Sequence, residues 1–206
     1  MLRFYFSSEP WITVGYSYRN HVAQFQYPHD KTCRRMTGGG RVLHGKDLIF
    51  SLAARKEADE SFKSVRLSYL KIHEAVKAGF EALGRTPTFY RCDEDLARGG
   101  DCFRFPIATD LALGRRKIAG GAQKRSAGTL LHQGSLKPIG VSTEDLTRSL
   151  EKSFEKIFSV KLQPADLQPQ WLEAADQMAK EKYSPLRSSS PLGGRGKAGG
   201  FVSSGR

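Results

Sequence analysis

Arg34-Arg35-Met36-Thr37-Gly38-Gly39-Gly40-Arg41-Val42-Leu43-His44 sets three consecutive glycines between cations and a histidine. A second stretch has the same make-up. Lys117-Ile118-Ala119-Gly120-Gly121-Ala122-Gln123-Lys124-Arg125 runs on to Leu131-His132-Gln133-Gly134-Ser135-Leu136. Glycine lets a backbone approach a neighbour closely or adopt unusual dihedral angles. Cations and hydrogen-bonding side chains beside such backbone suit an anionic or carbonyl-bearing ligand. A plain turn between strands would use the glycines too; the flanking Arg34, Arg35 and His44 favour a ligand site. Cys102 lies between the two stretches, after Gly99-Gly100-Asp101 and before Phe103-Arg104-Phe105-Pro106.

Around these stretches, apolar periodicity sets out the elements. Residues 2–6 and 11–16 read as short strands broken at Ser7-Ser8-Glu9-Pro10, and a polar loop follows Gly15 as far as Pro28. Val42 to Ala54 reads as one strand with Leu48, Phe50 and Leu52 on one face. Val65, Tyr69, Ile72, Val76, Phe80 and Leu83 recur at spacings of three and four, predicting a helix over 64–83 that packs on the core and stops at Gly84. Thr88–Cys92 reads as a strand. Residues 107–113 and 116–119 form a hairpin turning at Gly114-Arg115, and 129–136 a further strand. Helices are predicted over 145–158, with Leu146, Leu150, Phe154 and Ile157 on one face, and over 166–183. Strands in the middle with helices around them predict an α+β fold. The Ser-, Gly- and Arg-rich residues 184–206 have no apolar pattern and are expected to be disordered.

The bulk composition narrows the class. A chain of 206 residues can bury a real core. No apolar run is long enough to span a bilayer, and Met1-Leu2-Arg3-Phe4-Tyr5-Phe6 lacks the apolar core of a secretion signal. Three cysteines, Cys33, Cys92 and Cys102, include no C-x-x-C pair. This argues against a disulfide framework or a zinc site and for a cytoplasmic location. Cys33 and Cys92 are read as structural. Four of the twelve net positive charges fall in the last 23 residues, leaving +8 on the remainder. Such a surface draws acidic partners. A nucleic-acid-binding module would share this charge, but the aromatics do not interleave with the basic residues as stacking requires.

Gly40-x-x-x-x-Gly45-Lys46 imitates a phosphate-binding loop. Asp47 follows where that loop needs a hydroxyl for magnesium, and a strand follows where it needs a helix. Cys102 would be a small buried hydrophobe unless a cation helps it ionise, and Lys117 is the candidate. His132 is equally compatible with an ordinary hydrogen-bonded strand residue.

Taken together, and in register, the two glycine stretches resemble the lipoate/octanoate branch of the biotin/lipoate protein ligase and transferase family. Asp47-Leu48, Phe50-Ser51, the opening strands and the helix from Ser64 share the resemblance, which covers roughly residues 2–160. It implies a single α+β domain with a mixed or mostly antiparallel central sheet and flanking helices. That catalytic domain is expected over residues 1–183, without the helix that usually precedes the first strand. It also implies an acyl pocket lined by Arg34, Arg35, Thr37, Gly38, Gly39, Gly40, His44, Gly120, Gly121, Ala122, Gln123, His132 and Gly134.

Within the family, octanoyltransferases use a cysteine thioester, whereas lipoate ligases activate the free acid with ATP. Asp101-Cys102-Phe103 resembles the cysteine position of one octanoyltransferase class. The resemblance therefore implies that Cys102 carries an octanoyl group from acyl carrier protein to a lysine of a lipoyl domain or the glycine-cleavage H protein. Lys117 would assist. No cofactor or metal is required; ATP and magnesium enter only under the alternative, an ATP-dependent lipoate–protein ligase. No membrane partner is expected.

Overall fold

The computed structural model describes residues 1–18, 31–90, 107–181 and 183. The expected loop from Gly15 to Pro28 lies largely outside these residues. Cys92, Cys102 and the expected tail over 184–206 lie wholly outside them.

Among the described residues, nine strands come first to last as β1 (Leu2–Tyr5), β2 (Trp11–Val14), β3 (Thr32–Arg34), β4 (Arg41–His44), β5 (Leu48–Arg55), β6 (Thr88–Phe89), β7 (Leu111–Leu113), β8 (Arg116–Ser126) and β9 (Thr129–Leu136). The α-helices among them are α1 (Val65–Glu81), α2 (Thr143–Phe158) and α3 (Pro169–Glu181). A six-stranded sheet runs β1-β5-β9-β8-β7-β6, with every neighbouring pair antiparallel. A three-stranded sheet runs β3-β2-β4 and contains one parallel pair, β2 with β3. The fold is therefore the expected α+β architecture with a mostly antiparallel sheet.

Alternation along β5 and β9 gives the large sheet two different faces. Leu48, Phe50, Leu52, Leu130 and Leu136 point to one side, where they join Ile72, Val76 and Phe80 of α1 and Leu146, Leu150 and Phe154 of α2 in one buried core. Burying these side chains is the main stabilising term, about 1.5–3 kcal/mol for each large one. Helix α1 starts where the Ser64 hydroxyl accepts the Leu67 N–H and is followed by Gly84 at φ +70°. The two core helices touch closely. A Cβ on Gly79 would sit 2.8 Å from Leu150 Cδ2, and the hydroxyls of Ser149 and Ser153 donate to the Gly79 and Ala75 carbonyls at 2.7 Å. Among the described residues no helix is long and apolar enough to cross a membrane.

Two expectations change. The single strand expected over 42–54 is two strands in different sheets. Gly45 takes φ +132°, and the buried Asp47 carboxylate accepts the Gly45 N–H at 3.1 Å, turning the chain between β4 and β5. The apolar alternation runs on across this break. The second arm of the hairpin, expected to end at 119, continues to Ser126 because Gly120 and Gly121 keep pairing with Ser135 and Gly134. The phosphate-loop mimic is indeed followed by a strand, and Asp47 is turned inward.

Candidate active site

A cavity of about 560 Å³ is lined by residues of both sheets. On the large sheet, Tyr5, Ile49, Ser135 and Gly120 are register partners from β1 to β8. They form one row on the face opposite the core, and all four line the cavity. Three inter-strand gaps make that row about 14 Å long. Thr13, Cys33, Val42 and His44 line it from the small sheet, and Arg35 from just past β3.

At the β8 end Lys117 meets Asp110, with Nζ 2.7 Å from Oδ2; their side chains are only 7% and 3% exposed. A Cβ on Gly120 would lie 2.7 Å from Lys117 Cε and 3.0 Å from Asp110 Oδ1. Gly120 is thus required by the ion pair that rests on it. Gly121 points to the core face, where a side chain would collide with His132 and approach His73. Gly134, its cross-strand partner, makes room in the same way for the Phe50 ring. Behind the two glycines the rings of Phe50 and His132 stack at 5.4 Å, and His73 and Tyr69 meet His132 edge-on.

The polar wall is a connected set. Asp47 accepts from His44 at 2.7 Å and from the Ser135 hydroxyl at 2.5 Å, and His44 Nε2 lies 2.9 Å from Thr13 Oγ1. Arg35 donates to the Thr13 carbonyl and hydroxyl at 3.2 Å and to the Gly38 carbonyl at 2.7 Å. Burial alone would raise the Asp47 pKa. The hydrogen bond and charge of His44, with the Ser135 hydroxyl and Lys137, bring it instead to about 2. This set ties the small sheet to the large one and orients His44 in the cavity wall.

Of the expected site residues, Lys117, Arg35, Gly38, Gly39, His44, Gly120, Gly121, Ala122, Gln123 and Gly134 line the cavity. Arg34 does not. Its guanidinium donates to the carbonyls of Gly15, Tyr16 and Tyr18 at 2.8–3.1 Å and holds the chain after β2. Thr37 is fully buried and donates to the Gln133 side chain at 2.8 Å, acting on the cavity through Gln133. Gly40 turns its carbonyl to the Gly15 N–H. His132 lies behind the sheet, with Nδ1 3.2 Å from Gln123 Nε2. Cys102 is outside the described residues.

Several cavity residues carried no sequence signal. Asp110 is one acid in Ala-Thr-Asp-Leu. Tyr69, expected to pack in the core, lines the cavity. Cys33, expected to be structural, also lines it; burial raises its thiol pKa against the opposing Arg35 charge. A protonated thiol is a poor nucleophile, so Cys33 serves as wall.

The family profile described as lipoyl protein ligase A/B catalytic domain matches residues 1–167. The chain belongs to that family. Among curated relatives, the octanoyltransferase LipM of Bacillus cereus is 29% identical over 231 residues, covering 88% of this chain and 83% of the relative. That of Bacillus subtilis is 25% identical over 234 residues, covering 89% and 84%. Among solved structures, lipoate-protein ligase A bound with ATP superposes with a TM-score of 0.71 at 20% identity, over 88% of this chain and 81% of that one. A bi-partite lipoate protein ligase from Thermoplasma acidophilum, studied with its E2 lipoyl domain, gives 0.63 at 18%, over 88% and 80%. At these identities the structural likeness shows the fold.

Proposed function

We propose that the chain is an octanoyltransferase that works through a thioester on Cys102. The Cys102 thiolate attacks the carbonyl of an octanoyl-carrier thioester. A new S–C bond forms, the carrier S–C bond breaks and the carrier thiolate leaves. An acceptor lysine amine then attacks the octanoyl-enzyme, forming an amide and releasing Cys102. Exchanging a thioester for an amide is downhill, so the reaction draws on no ATP.

The observation that carries this proposal is the pairing of the buried Lys117–Asp110 site with the row ending at Ile49 and Tyr5. A charged group sits at one end of a cavity with space for an extended acyl chain beyond it. The octanoyltransferase relatives, aligned over most of their length, support the same chemistry. In the proposed mechanism Lys117 stabilises the cysteine thiolate and relays the proton shed by the attacking amine, help commonly worth about 100- to 10,000-fold. Beyond Ala119, among the described residues, β8 has no strand on its outer edge. The Gly121 N–H, which faces away from β9, would donate there to the tetrahedral oxyanion, about 3–4 kcal/mol for a well-placed donor.

The acceptor is a lipoyl domain or the glycine-cleavage H protein, and the donor is octanoyl-acyl carrier protein. The test mixes the protein, octanoyl-acyl carrier protein and a lipoyl domain without ATP and reads acceptor mass. Octanoylation of the acceptor lysine is expected. Modification only with free acid and ATP would replace transferase with ligase.

A further inference from the structure

We propose that Asp110 is a positioning residue for Lys117, and that His73 of α1 fixes the turn that presents it; this rests on the proposed role of Lys117. Lys117, paired with Ala112, and Asp110, just before β7, lie on either side of the register shift between Leu111 and Ala112. The carboxylate is held on every side. Oδ2 accepts the Ile107 N–H at 2.8 Å as well as Lys117 Nζ. Oδ1 rests over Gly120. The Asp110 N–H donates to the Ile107 carbonyl and its own carbonyl accepts the Tyr90 N–H, both at 2.8 Å.

One residue earlier, the Thr109 carbonyl accepts from His73 Nδ1. His73 is buried in α1, so the core helix fixes the turn. Among the described residues, Asp110 from the turn and His73 from α1 both interact electrostatically with Lys117.

A carboxylate fixed in this way does two things. It anchors a flexible lysine at one point of the cavity wall. It also supplies the counter-charge that a buried cation needs. The two effects separate in two variants. Asp110→Asn keeps the shape and removes the charge. Asp110→Glu keeps the charge and moves it by one methylene.

The experiment measures Lys117 acetylation by trace isotopic acetic anhydride at one fixed pH, read by peptide mass spectrometry, beside transfer kinetics. In Asp110→Asn, with this ion pair gone, Lys117 labelling should rise at least about threefold, and kcat should drop about tenfold or more with KM within about twofold. In Asp110→Glu labelling should stay near that of the wild type while kcat falls. His73→Asn, which retains an N–H donor, should keep more kcat than His73→Leu. Should Asp110→Asn fail to fold, Asp110→Glu and the His73 pair still decide. Unchanged labelling and kcat in Asp110→Asn, or full kcat in Asp110→Glu, would overturn the proposal. A wild type that transfers no octanoyl group would count against the transferase proposal, while the labelling rates would still judge the ion pair.

Discussion

Gly121 and His132 are diagonal neighbours on adjacent strands, so close that a Cβ on Gly121 would run into the imidazole. His132 is fully buried and stacked on Phe50, so it has nowhere to retreat. Gly121→Ala should therefore destabilise the fold by about 1–3 kcal/mol, the usual cost of overpacking. Urea unfolding of Gly121→Ala, His132→Ala and the double variant checks the cause. Removing the imidazole should relieve part of the alanine's cost. Strictly additive losses would show that the collision is not what Gly121 avoids.

The two buried histidines set a pH limit. Burial, first of all, lowers the pKa of both His73 and His132 from the ordinary 6.5. Each stays neutral in the fold but takes a proton once unfolded below that value. The unfolded state then binds more protons, so stability is full above about pH 6.5 and falls as pH drops below it, by up to ~1.4 kcal/mol per pH unit per histidine. His132→Gln should flatten the slope of unfolding free energy between pH 7 and 5. An unchanged slope would mean that His132 does not contribute.

Asp47 acts at lower pH and with the opposite charge. Its folded pKa of about 2 lies below the ordinary 3.8, so its contribution is present above 3.8 and lost as pH falls through 2. The shift corresponds to about 2 kcal/mol. Asp47→Asn should be less stable at neutral pH and lose less between pH 4 and 2 than the wild type. Equal acid sensitivity in both would remove Asp47 from the account.

Much of the fold is legible in the sequence because it follows from spacing. Ile72, Val76 and Phe80 mark α1, and Leu130 with the buried positions after it marks β9. The break at Gly45 was hidden because Val42, Leu48, Phe50 and Leu52 keep the pattern of one strand across it. Site residues were harder to tell apart. Arg34 and Arg35 are chemically alike and adjacent, but one turns to three carbonyls and the other to Thr13 and the cavity. Asp110 gains meaning only from Lys117, which the hairpin brings beside it. Gly120, Gly121 and Gly134 looked like backbone left bare for a ligand. They line the cavity, but their bareness makes room for Lys117 with Asp110, His132 and Phe50.

The net charge of +8 on residues 1–183 should act on encounter more than on the bound complex. Exposed charges farther apart than a Debye length, about 8 Å at physiological salt, are largely screened. Raising salt should slow second-order transfer from octanoyl-acyl carrier protein and change little with a small uncharged octanoyl thioester. Equal salt sensitivity for the two donors would remove steering as the role of the basic surface.

The most direct test concerns the covalent intermediate. The protein is mixed with octanoyl-acyl carrier protein, without ATP and without acceptor, and its intact mass and peptide masses are measured. One octanoyl adduct is expected on Cys102, labile to hydroxylamine as a thioester and absent in Cys102→Ser, which should also lose transfer. An acyl group found elsewhere, or a Cys102→Ser variant that transfers octanoyl at the wild-type rate, would contradict the thioester mechanism.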